Sequence, residues 1–171
     1  MTKNRQTKET PVAALAGNPN VGKSTIFNAL TGMRQHTGNW PGKTVSLAQG
    51  VCVYKGEEIR LVDLPGTYAL VSKSQEEILA AGFISGGEAD CVIAVCDATS
   101  LERSLILALQ VMELTDRVIV CVNLMDEARK QGIEIDLAAL SFELGVPVVA
   151  ASASREEGMG ELLEQLRRIL D

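Results

Sequence analysis

The sequence predicts an α/β fold: a mostly parallel six-stranded sheet with one antiparallel edge strand and helices on both faces. Three observations carry that prediction. Apolar strand-like runs alternate with amphipathic helical stretches along the chain. The polar turn Lys55-Gly56-Glu57-Glu58 joins two strands too closely for a helical crossover, so those two form a hairpin. The motifs that bear chemistry each fall just after a strand, where open α/β sheets place their ligands.

The elements follow in order. Residues 1–11 read as a flexible leader and residues 12–171 as one domain. Val12–Ala16 is an apolar strand, and a helix runs from Lys23 to about Thr31. Residues 33–44 read as loop, because Gly38, Pro41 and Gly42 interrupt any periodicity. Val45, Leu47, Val51 and Val53 alternate, which predicts a strand with one buried face, and Ile59–Asp63 returns beside it. A helix is expected near Gln75–Phe83, then a buried strand over Cys91–Asp97. Leu101, Leu105, Ala108, Leu109 and Met112 recur at three and four and mark an amphipathic helix. A strand over Val118–Asn123, a helix carrying Leu137, Leu140 and Leu144, a strand over Val146–Ala150 and a final amphipathic helix through Leu162, Leu166 and Leu170 complete the pattern.

Composition narrows the class. Hydrophobic residues make up 46% and charged residues 22% of 171, enough for one well-cored domain and too little chain for two. A net charge of −6 argues against nucleic acid as the principal partner, since phosphate backbones call for clustered Lys and Arg. The longest apolar runs fall far short of the roughly 18 residues that span a bilayer. No signal-peptide hydrophobic region precedes them, so the chain as given reads as soluble and cytosolic. Cys52, Cys91, Cys96 and Cys121 form no C-x-x-C pair and read as buried, reduced hydrophobes rather than a metal site.

The stretch Gly17-Asn18-Pro19-Asn20-Val21-Gly22-Lys23-Ser24-Thr25 organises the rest. Strand, G-x-x-x-x-G-K-S, helix is the phosphate-binding loop in its required context. Gly17 and Gly22 let the backbone curl so that the N–H groups of Asn18, Asn20, Val21 and their neighbours face anionic oxygens. The helix start at Lys23, Ser24 and Thr25 adds its positive end. Lys23 brings a full charge to the β- and γ-phosphates, and the Ser24 hydroxyl is placed to ligate Mg²⁺.

Asp63-Leu64-Pro65-Gly66 closes a strand about forty residues later. Asp63 suits a Mg²⁺-bound water, and Gly66 can bring its N–H against a γ-phosphate. Thr44, just before the hairpin, is the candidate sensor of γ-phosphate and Mg²⁺. Asn123-Leu124-Met125-Asp126 follows another strand. A carboxylate at Asp126 accepts N1–H and the exocyclic amine of guanine, groups that adenine lacks, while Asn123 ties this loop to the P-loop and Met125 lies beside the base. In Ser152-Ala153-Ser154 the Ala153 N–H suits guanine O6. Together these motifs specify GTP and GDP as ligands and a GTPase rather than an ATPase.

The set GNPNVGKST (17–25), GNWPGKTV (38–45), DLPGTYAL (63–70), SKSQEE (72–77), NLMD (123–126) and GIEIDLAALSFELGVPVV (132–149) resembles the N-terminal G domains of FeoB, the bacterial ferrous iron transporters, over about residues 12–170. The resemblance implies a Ras-like fold whose GTP cycle is coupled to Fe²⁺ uptake by a transmembrane permease region of the same polypeptide. It also implies a place at the cytoplasmic face of the inner membrane, with homo-oligomerisation left open. A K⁺ ion beside the β- and γ-phosphates is implied too, held by Asn20 and the backbone carbonyls of Gly38 and Trp40. Asn20, Lys23, Thr44 and Gly66 would then be the catalytic set. Ras-like GTPases carry a water-orienting Gln where this chain has Thr67, so slow hydrolysis is expected. Two alternatives stand beside this reading: an interaction switch with negligible turnover, and a soluble ribosome- or tRNA-associated GTPase.

Overall fold

A computed structural model describes residues 9–40, 46–71 and 73–171. Thr44 and residues 1–8 of the expected leader lie outside the described residues, as do Pro41, Gly42 and Lys43.

The chain runs β1 (Val12–Gly17), α1 (Lys23–Thr31), β2 (Gln35–Asn39), β3 (Ser46–Tyr54), β4 (Glu57–Asp63), α2 (Gln75–Ser85), β5 (Cys91–Asp97), α3 (Leu101–Leu114), β6 (Val118–Asn123), α4 (Met125–Lys130), α5 (Leu137–Leu144), β7 (Val148–Ala150) and α6 (Met159–Leu170). The sheet order is β2-β3-β4-β1-β5-β6-β7. β1 pairs in parallel with β4 and β5, and β5–β6 and β6–β7 are parallel as well. β3 is antiparallel to both neighbours. The expected parallel sheet with an antiparallel edge is therefore present, with seven strands in place of six.

The additional strand is β2, inside the stretch that reads as loop. Gln35-His36-Thr37-Gly38-Asn39 has no apolar alternation, because an edge strand needs only main-chain partners, which Ser46–Gly50 supply. The β3–β4 hairpin turns through Lys55 and Gly56, at φ 49° and 82°. Both central residues are thus left-handed, as a two-residue turn that matches the strand twist requires.

Each face of the sheet carries its own core. Ala14, Ala16, Val62, Val92, Val120 and Phe83 pack under α2 and α3, with α5 against the rim. Leu15, Ile26, Phe27, Leu61, Ile93, Ile119, Leu162 and Leu166 pack under α1 and α6 on the other side. β1 is buried along its whole length because both faces are covered, which is why it reads as an unbroken apolar run.

Two burial expectations are corrected. Leu47 is buried, but Val51 and Val53 are exposed at 38% and 57%, and Cys52 is buried in their place. The distal half of β3 reaches past the helices on the Val51 face, so α1 and α6 cover only the other face there. In α3, Leu109 is half-exposed, while Leu107, Ala108 and Val111 point inward. That helix is apolar on more than one side, and spacing alone cannot choose the buried stripe. All four cysteines are free and buried, as expected.

α2 starts with a reciprocal cap. Ser74 Oγ accepts from the Glu77 N–H, and Glu77 Oε2 accepts from the Lys73 N–H. Among the described residues, no helix is long and apolar enough to cross a membrane.

Candidate nucleotide site

β1 ends at Gly17, and the chain then curls through Asn18–Gly22 into α1. A Cβ at Gly17 would sit 2.9 Å from the Val95 carbonyl oxygen, so β5 leaves room for hydrogen only. Gly22 has φ +81°, and a Cβ there would lie 2.2 Å from Asn123 Nδ2. Both glycines of the motif are thus required by close approach, and Gly22 by its backbone conformation as well. Asn20 is also left-handed, at φ 66°, and exposed. Ser24 and Thr25 are exposed at the helix start, while Val21 anchors the loop in the core.

Lys23 is 9% exposed. Its ammonium donates to Asp63 Oδ1 and, at 2.7 Å, to the Leu64 carbonyl. The DLPG segment is therefore laid directly along the P-loop. The Leu64 N–H donates to Leu15 O at 3.0 Å and the Thr67 N–H to Gly17 O at 3.2 Å, while a Cβ on Gly66 would meet Pro19 at 3.3 Å. Gly66 is exposed and Thr67 is buried.

The base-side motifs converge on Asn123, which is 1% exposed at the end of β6. Its Nδ2 donates to the Val21 carbonyl of the P-loop at 3.0 Å. Its Oδ1 accepts from the Ala153 N–H at 3.0 Å. Ser152 Oγ accepts from the Asp126 N–H at 3.1 Å, and the Met125 N–H donates to Ala151 O. One carboxamide thus clamps the phosphate loop to the loop after β7, and one hydroxyl orients the Asp126 turn. Met125 and Asp126 are half-buried, and Ser154 is exposed in the short turn Ala153–Arg155.

Gly38 and Trp40 are held elsewhere. The Gly38 carbonyl accepts from Gln49 Nε2 at 3.5 Å. Trp40 is 8% exposed, edge-on to Phe83 at 5.1 Å between ring centroids, with the Arg60 guanidinium 4.8 Å from its ring. Among the described residues, neither hydrogen-bonds the P-loop.

One position is unmarked in the sequence. Leu124 adopts φ 63°, uncommon for a branched side chain, and lies near Gly22 between Asn123 and Asp126. Nothing in the residue type announces this; a strained backbone position is visible only in three dimensions. Ser152 belongs to the expected base motif, but its bond to the Asp126 N–H is legible only once the loops meet.

Among the described residues, no group of three or more His, Cys, Asp or Glu side chains is placed to hold a metal ion. The two residues expected at Mg²⁺, Asp63 and the exposed Ser24, offer oxygen only, the donor type that Mg²⁺ takes where phosphates and water complete its shell. A cleft of about 950 Å³ opens away from the phosphate loop, between Val12, Arg60, Asp90 and Arg117.

Comparison with known proteins agrees with this geometry. The family model described as ferrous iron transport protein B matches residues 11–166. The Fe(2+) transporter FeoB of Salmonella typhimurium is 47% identical over 152 residues, covering 86% of this chain and 20% of that protein. That of Escherichia coli K12 is 46% identical with the same coverage. The chain therefore spans about a fifth of the length of these curated relatives. The crystal structure of the T. maritima FeoB G domain superposes with a TM-score of 0.87 at 44% identity, covering 95% of this chain and 99% of that one. The FeoB G domain from Methanococcus jannaschii gives 0.83 at 44% identity, with the same coverage. On the family match, the sequence identity and the shared fold together, this chain belongs to the ferrous iron transport protein B family and corresponds to its N-terminal G domain.

Proposed function

We propose that the chain binds guanine nucleotide with Mg²⁺ and hydrolyses GTP slowly, as the regulatory domain of a ferrous iron transporter. The observation that carries this reading is Asn123, which joins Val21 of the P-loop to Ala153 and so builds phosphate and base recognition into one unit. Solved forms of the T. maritima FeoB cytosolic domain with GDP and with GMPPNP support the choice of ligand.

In this reading the P-loop N–H groups and Lys23 hold the β- and γ-phosphates, and Lys23 gives up Asp63 to do so. Ser24, Thr44 and Asp63 hold Mg²⁺, which offsets charge on the transferring phosphoryl group. Gly66, unobstructed by a side chain, turns its N–H to the γ-phosphate. A water in line with that phosphate attacks, with no covalent intermediate. Asp126, oriented through Ser152, reads N1–H and the exocyclic amine. Ala153 reads O6 by exchanging its bond to Asn123 for one to the base. A K⁺ ion at Asn20 would supply charge as an arginine finger does, which requires the carbonyls of Gly38 and Trp40 to leave their present partners. The output is passed to a membrane-embedded permease region at the cytoplasmic face.

Titration of GDP and a non-hydrolysable GTP analogue against wild type and Asp126→Asn tests the site. The variant should move its preference toward xanthosine triphosphate, whose C2 carbonyl accepts from the new amide. Full retention of GTP affinity would remove Asp126 from the base contact. Phosphate release in K⁺ against Na⁺, with Asn20→Ala as control, tests the potassium role.

The buried Thr67, with its N–H on Gly17 O, favours a second reading in which turnover is negligible and nucleotide state gates partner binding. Single-turnover cleavage compared with the nucleotide release rate separates the two. Release much faster than cleavage favours the switch.

A further inference from the structure

Asn18 is 6% exposed, and its Oδ1 is one of two buried side-chain polar atoms without a hydrogen-bond partner among the described residues. The other, Arg167 Nε, has carboxylates of Glu57 and Asp171 at 3.9 and 3.8 Å. Only Asn18 Oδ1 is left as an acceptor with no compensating group. Buried polar atoms are satisfied in the great majority of cases, and one that is not calls for a specific reason. Here the orphan lies in the loop that would hold the phosphates.

Its chain neighbours show which segment runs beside it. Gly17 O accepts the Thr67 N–H, and Pro19 backs onto Gly66 closely enough that a Cβ there would meet it at 3.3 Å. The segment Gly66–Thr67 therefore lies against the loop on either side of Asn18. Oδ1 is an acceptor that needs a donor; with the Thr67 N–H already on Gly17 O, the Thr67 hydroxyl is the one side-chain donor that this segment carries.

We propose that Asn18 is a positioning residue for the triphosphate state: when Gly66 turns its N–H toward a γ-phosphate, Thr67 moves with it and donates to Asn18 Oδ1. The proposal rests on the GTP reading above and deepens it. The Thr67 hydroxyl makes this bond, so the Thr67 N–H keeps Gly17 O and no buried acceptor is stranded in turn. A diphosphate, having no γ-phosphate to draw Gly66, leaves the acceptor unpaired. The Asn18 side chain thereby adds discrimination between GTP and GDP without itself touching either.

The test is Asn18→Leu, which has the same branching and number of side-chain heavy atoms and carries no acceptor. The ratio of affinities for a non-hydrolysable GTP analogue and for GDP, both with Mg²⁺, should fall about tenfold, the scale of one buried hydrogen bond made in only one state. The thermal midpoint without nucleotide should not fall, since an unsatisfied group has been removed. Asn18→Leu combined with Thr67→Val should lower the ratio no further than Asn18→Leu alone. If both affinities fall by the same factor, or the ratio is unchanged, Asn18 is a structural loop residue and the proposal is overturned. Asn18→Ala provides the same ratio should the leucine variant not fold. Failure of wild type to bind either nucleotide would overturn the GTP reading itself, so the two outcomes are distinct.

Discussion

Lys23 and Asp63, forty residues apart, form an ion pair in which the lysine ammonium also donates to the Leu64 carbonyl. Both side chains are mostly buried, at 10% and 15% exposure. The groups expected to hold phosphate and Mg²⁺ thus satisfy one another, and any ligand has to separate them. On the proposed reading a nucleotide would compete with Asp63 for Lys23, and Mg²⁺ with Lys23 for Asp63. Each separation would free the other group, so nucleotide and metal should bind with positive coupling.

Asp63→Asn should uncouple them. The amide retains an acceptor but loses the charge, so GDP without Mg²⁺ should bind about threefold to tenfold more tightly, while the gain on adding Mg²⁺ should shrink. Titration in EDTA and then in Mg²⁺ reads both. Unchanged affinity in EDTA would mean that the pair does not compete with phosphate.

Asn123→Ala should cost about 2–4 kcal/mol of stability, because it strands the Val21 carbonyl and the Ala153 N–H as buried groups. Gly22→Ala should damage the same clasp from the other side, since the new Cβ collides with Asn123 Nδ2 in a left-handed position. Chemical denaturation measures both. Nucleotide affinity should fall in each variant more than stability alone explains.

Trp40 is the only tryptophan, and it is buried against Phe83 and Arg60. Its emission should be blue-shifted without nucleotide. Trp40→Ala should destabilise by about 3–5 kcal/mol, as loss of a large buried aromatic does. If its carbonyl becomes a K⁺ ligand, a GTP analogue in K⁺ should red-shift the emission and the same analogue in Na⁺ should not. Identical spectra in the two salts would count against the cation site.

Burial pushes the thiols of Cys91, Cys96 and Cys121 up to about 12 from a usual value of 9.0. In the unfolded chain they ionise near pH 9, while the folded chain keeps its protons. The unfolded state therefore binds fewer protons between pH 9 and 12, and stability falls as pH rises through that window. The slope is about 1.4 kcal/mol per pH unit for each thiol. A thermal midpoint followed from pH 8 to 11 should drop steeply, and less so in Cys→Ala variants. Below pH 9 the thiols should react with a disulfide reagent only after denaturant is added.

Sequence and structure agree where chemistry forces residue type. The glycines at 17 and 22, Lys23, Asp63 and Asn123 were legible because only those side chains, or none, suit their positions. Buried β strands were legible because both faces are covered. β2 was not, because an edge strand held by main-chain bonds leaves no mark in side-chain pattern. Val51 and Val53 misled because alternation shows that a strand has two faces and not which of them is covered. Leu124 and the side chain of Asn18 were silent for a different reason: backbone strain and an unpaired acceptor depend on what other segments bring alongside.

The polar edge strand has a further consequence. A strand whose side chains bury nothing can slide along its neighbour at little cost, since no apolar set changes faces. Of residues 36–40, only Trp40 enters the core. That indole therefore acts as the dowel fixing which rung of β3 each β2 residue meets. Without it, the amide protons of the β2–β3 ladder should exchange with solvent far ahead of those between β4 and β1, and the sheet would lose its outermost register before it lost its fold.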